Sequence, residues 1–260
     1  ITNLVFLLKD DSPQVREEAV RAIINLSCNP ENQVTIAQAG AIPLLFDLPK
    51  HSVYDAMMAI CNLAQNDENK VKIAKTPGAI TNLVSLLKKD VSSKVKLQSA
   101  RTLRDLTINT YSREIIAKAG AIPPLIKLLK DPLPQLREHA TANLSNLAIN
   151  NNNKLKIKEY PNAITNLVAL LKDSLSEVRQ NAASTLMNLA VHGSMLTIAN
   201  TPDAITNLVD SLKDDSSEVI EKAVGALLNL ALNDENKVTI ANEDNAITNL
   251  VALLNDGTPE

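Results

Sequence analysis

Asparagine side chains recur along this sequence about every 40 residues, and each stands immediately before a leucine. An Asn amide carries both a hydrogen-bond donor and an acceptor, so one such group in every structural repeat can bind the N–H and C=O groups of an extended peptide. Asn is a poor helix former, so stability alone does not explain its recurrence between apolar neighbours. The series, called the ladder below, has Asp in place of Asn in the third repeat and consists of Asn25, Asn62, Asp105, Asn146, Asn188 and Asn229.

The ladder is part of a longer sequence repeat. An Ile followed by a Leu three residues later recurs at steps of 38 to 42 residues, and five of the seven copies open with Ile-Thr-Asn-Leu-Val. A fixed period of this length indicates stacked repeats and not independent domains. We predict one solenoid over residues 1–260, with about six to seven repeats and incomplete first and last units. The anchoring residues are Ile1, Ile42, Ile80, Ile122, Ile164, Ile205 and Ile247.

Each repeat contains three segments in which apolar residues recur at helical spacing. In residues 152–191 these are a short first helix, a second helix that begins near Asn162, and a longer third helix that begins near Ser176. Two positions before each anchoring Ile stands a residue that tolerates the left-handed conformation, which predicts a sharp turn between the first and second helices. These turn residues are Gly40, Gly78, Gly120, Asn162, Asp203 and Asn245.

The composition narrows the classes of function. Apolar residues make up 45% of the 260 residues and aromatic residues only 2%, a balance that favours helices packed through aliphatic side chains. The 26 basic and 29 acidic residues leave a net charge of −3, so no basic surface for nucleic acid is indicated. The apolar runs are too short to insert into a membrane. We expect a cytoplasmic or nuclear protein that binds no nucleic acid and inserts into no membrane.

Residues that could support catalysis or metal binding do not cluster in the sequence. The histidines His51, His139 and His192 lie in different repeats, without Cys, Asp or Glu at ligand spacing. Cys28 and Cys61 form no Cys-x-x-Cys pair, and no glycine-rich phosphate loop or nucleophile motif occurs. We therefore expect a protein without enzymatic activity, cofactor or metal.

Four segments resemble armadillo repeats. Residues 39–45 (Ala-Gly-Ala-Ile-Pro-Leu-Leu) and 119–125 (Ala-Gly-Ala-Ile-Pro-Pro-Leu) resemble the turn and second helix of that family, and residues 182–190 and 223–231 resemble its third helix. The resemblance covers essentially the whole chain. It implies an all-α fold, a right-handed α-α superhelix of three-helix repeats of about 42 residues, in which the third helices line a concave groove.

Two further families share features with the sequence. HEAT repeats are the neighbouring family, and Asp173 followed by Val178-Arg179 is typical of them, although the short first helix and the glycine-type turn favour armadillo. Residues 144–154 and 228–237 resemble the armadillo region of plant-type U-box ubiquitin ligases. That resemblance implies, as an alternative function, the substrate-recruiting part of a larger ligase-like protein.

The armadillo resemblance implies a protein or peptide ligand bound in the groove in an extended conformation. Neighbouring helix axes lie about 8–10 Å apart, so two to three residues of an extended chain pass each repeat. We expect the ladder amides to hold the ligand main chain, while Arg21, Met58, Arg101 and Asp105 bias the choice of ligand side chains. The protein is then a scaffold for protein–protein interaction.

The sequence departs from importin-α-like armadillo proteins at the position one turn before each ladder residue. Those proteins carry Trp there, forming slots for Lys side chains, whereas this sequence contains no Trp. Recognition of basic nuclear-localisation peptides therefore loses its main support. The residues present are Arg21, Met58, Arg101, Ala142, Ser184 and Gly225.

Two local alternatives to ligand binding concern the same helices. Asp105 accepts but cannot donate, so it pairs with a ligand cation, with Arg104, or with Arg101 at the i,i+4 spacing of one helix. A second polar row follows the ladder by one turn, where the third helix is expected to end. The alternative for both rows is that their members are helix-end residues that bond local carbonyl groups, and this explains the second row best. The members of the second row are Asn29, Asn66, Asn109, Asn150, His192 and Asn233.

The second repeat is shorter than the others. Ile42 precedes its ladder residue by 20 residues, whereas Ile164 precedes Asn188 by 24. About one helical turn is missing near Pro49, which predicts a truncated second or third helix.

Both ends of the sequence show the apolar pattern of the interior repeats and not the polar caps that terminal repeats normally carry. This predicts either an excised stretch of a longer array or end-to-end assembly of identical copies.

Overall fold

The computed structural model of the protein describes residues 1–88, 90–191 and 193–256. Within these ranges the chain consists of α-helices and short 3₁₀ helices joined by turns, without strands, which confirms the predicted all-α solenoid. The helices form two compact units, Ile1–Pro124 and Leu125–Glu260, each described by itself below. The prediction of one continuous solenoid over residues 1–260 stays a prediction.

The first unit contains helices α1 to α9 and two 3₁₀ helices, Leu7–Lys9 and Lys50–Ser52. Its second helices are α1, α4 and α7, its third helices α2, α5 and α8, and its first helices α3, α6 and α9. Their bounds are α1 Thr2–Phe6, α2 Pro13–Leu26, α3 Pro30–Gln38, α4 Ala41–Phe46, α5 Val53–Leu63, α6 Asp67–Lys75, α7 Ala79–Lys88, α8 Ser93–Thr107 and α9 Thr110–Lys118.

The second unit repeats the same order, with α10, which begins just before the unit, as the second helix of its first repeat. Its 3₁₀ helices are Leu170–Lys172 and Ser211–Lys213, which extend the second helices α13 and α16. The bounds are α10 Ile122–Leu128, α11 Pro134–Leu147, α12 Asn151–Glu159, α13 Ala163–Ala169, α14 Ser176–Ala190, α15 Met195–Ala199, α16 Ala204–Asp210, α17 Ser217–Leu230, α18 Asp234–Asn242 and α19 Ala246–Asp256.

The turn before each second helix adopts the predicted left-handed backbone conformation. The φ angles are 84° at Gly40, 75° at Gly78 and 80° at Gly120, and 61° to 62° at the non-glycine positions Asn162, Asp203 and Asn245. Glycine lacks the Cβ that makes this region unfavourable, and Asn and Asp tolerate it through local hydrogen bonds. All six predicted turns are therefore present.

The second polar row caps the first helices. The side-chain oxygen of Asn29 accepts main-chain N–H groups of Glu31 and Asn32, at the start of α3. The same bond type occurs at Asn66, Asn109, Asn150 and Asn233, whereas His192 lies outside the described residues. Because the first N–H groups of a helix have no partner within it, an Asn at this position supplies one. These five residues lie at a helix end as predicted, but the expected bonds to local carbonyl groups are wrong, because their side-chain oxygens accept N–H groups of the following helix.

The cores of both units are aliphatic. Ile23, Ile60 and Leu103 of the third helices are fully buried, as are Leu144 and Leu186 of the second unit. Burying one such side chain stabilises the fold by about 1.5–3 kcal/mol, so a core almost without aromatic residues is sufficient when every repeat contributes several. The third helix of each repeat is thereby fixed on one side and leaves its other side partly exposed.

The second repeat is irregular, as predicted. Its second helix α4 has 6 residues, compared with 10 in α7, and its third helix α5 has 11 residues, compared with 14 in α2. The 3₁₀ helix Lys50–Ser52 replaces the first turn that the other third helices have. The missing residues therefore shorten α4, whereas α5 is short because its first turn is a 3₁₀ helix.

Arginine–aspartate bridges connect consecutive repeats in the second unit. Arg137, in the first turn of α11, donates from Nε and Nη2 to both carboxylate oxygens of Asp173, at 2.6 and 3.2 Å. Arg179 of α14 donates in the same way to Asp214, at 2.6 and 2.7 Å. Each arginine also donates from Nη1 to a main-chain oxygen of its own interhelical turn, at 2.9 Å to Asp131 and 3.0 Å to Asp173. These bridges fix the turns between second and third helices.

Candidate binding site on the third helices

The third helices pack side by side in each unit, α2 with α5 and α5 with α8 in the first, and α11 with α14 and α14 with α17 in the second. Their partly exposed side is called the third-helix face below. The ladder residues lie in the last turns of these helices, as predicted. Asn25 is exposed, Asn62, Asn146, Asn188 and Asn229 are half-buried, and Asp105 is only 8% exposed.

In the second unit the ladder amides form hydrogen bonds to the preceding repeat. Nδ2 of Asn229 donates to the main-chain oxygen of Met187 at 2.9 Å, and Nδ2 of Asn188 donates to that of Ser145 at 3.4 Å. In both cases the acceptor is the residue immediately before the ladder residue of the preceding helix. The last carbonyl groups of a helix lack partners within it. A ladder amide therefore caps the end of the neighbouring third helix, whereas the alternative predicted from the sequence was a bond to a local carbonyl group.

The first unit follows the same rule at Asn62. Its Nδ2 lies 3.4 Å from the main-chain oxygen of Ile24, the residue before Asn25, and 3.0 Å from Oγ of Ser27. Asn25 itself makes no side-chain hydrogen bond within the described residues. The capping bond is thus a property of pairs of adjacent third helices.

Part of the hydrogen-bonding capacity of the ladder remains available. An Asn amide has two N–H donors and an acceptor oxygen. Asn188 and Asn229 use one donor each, whereas Asn62 uses its amide nitrogen for two acceptors. Within the described parts of the chain, Oδ1 of these three residues has no partner. These oxygens can therefore accept main-chain N–H groups of a ligand.

Asp105 interrupts the ladder. A carboxylate cannot donate to a carbonyl of the preceding helix, and Asp105 instead accepts from Nε and Nη2 of Arg104, at 3.1 and 2.9 Å. The i,i+4 pair with Arg101 considered from the sequence is not formed. Arg101 is half-buried and makes no ion pair within the described residues. It lies near Cys61, where burial raises the pKa of the thiol and the positive charge of Arg101 opposes that increase.

The positions one turn before the ladder differ from repeat to repeat. Arg21 is exposed and donates to Glu18 at 2.6 Å, whereas Met58 is half-buried. Gly225 lies beneath Met187, because a Cβ on this glycine would be 2.5 Å from the Met187 sulfur. These side chains share a face in each unit, but they form no repeated slot for one type of ligand side chain.

Within the described residues, no group of three His, Cys, Asp or Glu side chains lies close enough together to hold a metal ion. Among the described helices, none is both long enough and apolar enough to cross a membrane.

A family model of HEAT repeats matches residues 80–186 and 122–229, which together span more than half of the chain. No curated protein sequence matches. The TM-score to a designed armadillo repeat protein is 0.80, with 28% identity over 88% of this chain and 99% of the other.

Two more engineered proteins are similar to the chain. A designed armadillo repeat protein in complex with the peptide (KR)4 is 26% identical over 88% of this chain and 98% of its own, with a TM-score of 0.78. An engineered protein from a structural genomics consortium is 30% identical over the whole of this chain, with a TM-score of 0.89, and this chain spans 65% of it. These similarities confirm the armadillo-type solenoid. None of the three proteins is a U-box ligase, and that resemblance stays a hypothesis.

Proposed function

Because the chain belongs to the HEAT-repeat family and has the fold of designed armadillo repeat proteins, we propose that it is a non-enzymatic scaffold that binds an extended segment of another protein on its third-helix face. The observation that carries this proposal is the unused acceptor oxygen of the ladder amides, at Asn62 in the first unit and at Asn188 and Asn229 in the second. A related designed protein, described as binding a peptide, supports it.

The ladder recognises the ligand through its main chain. Each Oδ1 accepts a ligand N–H, and at Asn188 and Asn229 the second Nδ2 hydrogen donates to a ligand C=O. Asn62 offers only its oxygen, because its amide nitrogen already serves Ile24 and Ser27. Main-chain bonding contributes affinity with little dependence on ligand sequence.

Side-chain preference comes from the positions beside the ladder. Arg101 is a guanidinium without an ion-pair partner among the described residues, and it favours an acidic or polar ligand side chain. Asp105 is already paired with Arg104 and therefore attracts a ligand cation weakly. Arg21 and Met58 add a second charge and an apolar contact. The basic peptide of the designed relative is therefore a poor guide to the ligand of this chain.

The test uses a steric block and not removal of the ladder amides, because an Asn→Ala change would also delete a capping bond within the protein. Ala142 is half-buried one turn before Asn146, and Arg101 stands at the equivalent position of α8, so Ala142→Arg is compatible with a third helix. Thr165→Arg, on the exposed side of second helix α13, is the matched control.

Peptides selected from a randomised linear library on the parent chain are then titrated against both variants. We expect Ala142→Arg to weaken binding about tenfold or more and Thr165→Arg to leave it within about twofold. Equal affinities for the parent and Ala142→Arg, with the same helical content, would place the binding surface elsewhere and overturn the proposal.

End-to-end assembly with further copies is the second candidate function. Leu4, Leu7 and Val15 line an open cavity of about 560 Å³ on α1 and α2, and Leu228 and Leu232 are 65% and 68% exposed in the second unit. Adjacent repeats of a solenoid bury such surfaces against each other. Light scattering over a dilution series tests this proposal, because a mass constant at 28.1 kDa would exclude it.

A further inference from the structure

One repeat junction of the first unit lacks the arginine of the arginine–aspartate bridge seen in the second unit. Arg137 and Arg179 each stand nine residues before a ladder residue, and Val53 occupies that position in the second repeat. The carboxylate of the bridge stands fifteen residues before the next ladder residue, where the third repeat has Asp90. This junction therefore has the acid of a bridge without its arginine.

Asp90 is available to a ligand. It is exposed, and it makes neither a hydrogen bond nor an ion pair within the described residues. In the second unit the equivalent Asp214 accepts two bonds from Arg179. The contrast follows from the side chain at position 53, because valine can neither reach nor donate to a carboxylate.

A cleft occupies the junction where the bridge is missing. Its volume is about 660 Å³, and Asp90 lies at its wall. The cleft is bounded by the shortened α4 and the 3₁₀ start of α5 on one side, and by α7 and the start of α8 on the other. Its apolar walls are formed mainly by Phe46, Leu48, Val53, Tyr54, Leu86 and Val91. An apolar cleft with a carboxylate in its wall matches an arginine side chain, which has an aliphatic stem and a charged planar end.

We propose that this cleft binds an arginine side chain presented by a partner protein, with the guanidinium on Asp90 and the stem against Val53 and Tyr54. The partner thereby supplies in trans the group that Arg137 and Arg179 supply within the chain. A bidentate guanidinium–carboxylate pair needs the planar fork of arginine, which a lysine ammonium does not have.

Among the described residues, the cations around the cleft leave this site open. Lys50 is exposed at the rim, and the Nε2 atom of His51 lies 3.8 Å from a carboxylate oxygen of Glu17. Lys94 places its Nζ 5.9 Å from the centroid of the Tyr54 ring. Each of these groups is therefore solvated or directed to another residue.

The experiment follows amide chemical shifts of the full-length, isotope-labelled chain during titration with N-acetyl-arginine-N-methylamide. The citrulline analogue has nearly the same shape as arginine but no charge, so it tests whether the charge is needed. The lysine analogue keeps the charge without the planar guanidinium, so it tests whether the shape of the cation is needed. We expect saturable shifts at Val53, Tyr54 and Val91 with arginine, with a dissociation constant on the order of millimolar for so small a probe. Citrulline and lysine bind about tenfold more weakly or not at all.

Three variants complete the test. Asp90→Asn weakens arginine binding about tenfold, whereas Asp244→Asn, the same charge change at an exposed site of the second unit, leaves it unchanged. Val53→Arg places the missing side chain in the cleft and abolishes binding. Equal binding of citrulline and arginine, or full binding by Asp90→Asn, would overturn the proposal. Asp90→Asn alone decides the outcome if Val53→Arg does not fold.

Discussion

Asn229 and Met187, from adjacent third helices, are joined by a hydrogen bond of 2.9 Å from the Asn229 side-chain amide to the Met187 main-chain oxygen. The acceptor is one of the last carbonyl groups of α14, where the helix can no longer supply N–H partners. The armadillo resemblance implies that the ladder asparagines bind a peptide main chain. In this structure Asn229 also joins two neighbouring repeats. The two roles use different atoms of one amide, so they are compatible.

Removing this bond should destabilise the protein. We expect Asn229→Ala to lower the free energy of unfolding by about 1 kcal/mol, because the unpaired Met187 carbonyl costs more than the better helix propensity of Ala returns. Urea denaturation followed by circular dichroism measures the change. Asn25→Ala is the matched control, since Asn25 occupies the same helical position without a capping bond within the described residues. The free energy of unfolding of this variant should equal that of the parent chain or exceed it slightly. Equal losses at both positions would show that the bond contributes nothing.

The bridge between Arg179 and Asp214 should make stability depend on pH. The hydrogen bond from Arg179 holds the pKa of Asp214 below its ordinary value. A carboxyl group with a lowered folded-state pKa stabilises the fold above its unfolded-state pKa of about 3.9, and this contribution is lost as the pH falls through the folded-state value.

The corresponding variant is Asp214→Asn. We expect it to lower the free energy of unfolding by about 2 kcal/mol at pH 7, with a difference from the parent that shrinks as the pH falls below about 4. Asp244→Asn, at an exposed residue, should show a much smaller difference. A difference for Asp214→Asn that is constant with pH would contradict this account.

Gly225 should be coupled to Met187. A Cβ at position 225 would lie 2.5 Å from the Met187 sulfur, so Gly225→Ala must displace that side chain. In a Met187→Ala background the obstacle is absent, and Gly225→Ala should stabilise α17 by up to about 1 kcal/mol through helix propensity. In the parent chain, the cost of displacing the Met187 side chain should cancel this gain in stability. A double-mutant cycle of unfolding free energies measures the coupling, and strictly additive effects would disprove the contact.

The two cysteines should differ in reactivity. Cys28 is exposed, whereas Cys61 is buried and its burial raises the pKa of the thiol, which lowers the thiolate fraction. We expect an aromatic disulfide reagent at pH 8 to modify one thiol per folded chain rapidly and the second only in urea. Cys28→Ser should remove the rapid phase. Two equal rates in the folded protein would show that the third helix around Cys61 opens readily.

Local chemistry made much of the fold predictable. The period of the anchoring Ile residues and the residues Gly40 and Asn162 determine where a second helix begins, because a left-handed turn depends on the residue at that position alone. The position of Asn29 at a helix end was predicted for the same reason, although its side-chain oxygen accepts the N–H groups of Glu31 and Asn32 and the expected partner was a local carbonyl group. The shortened second repeat was visible as missing residues before Asn62.

The sequence by itself determined the repeat, the helices and the row of ladder residues, but only the tertiary structure decided which groups those residues bind. Asn188 meets Ser145 from 43 positions away, because two third helices are brought side by side by an aliphatic core that contains neither polar group. The choice of Arg104 over Arg101 as the partner of Asp105 also depends on side-chain packing. Composition and period do not encode such contacts, because a hydrogen bond depends on distances of a few tenths of an ångström between atoms that only folding places together.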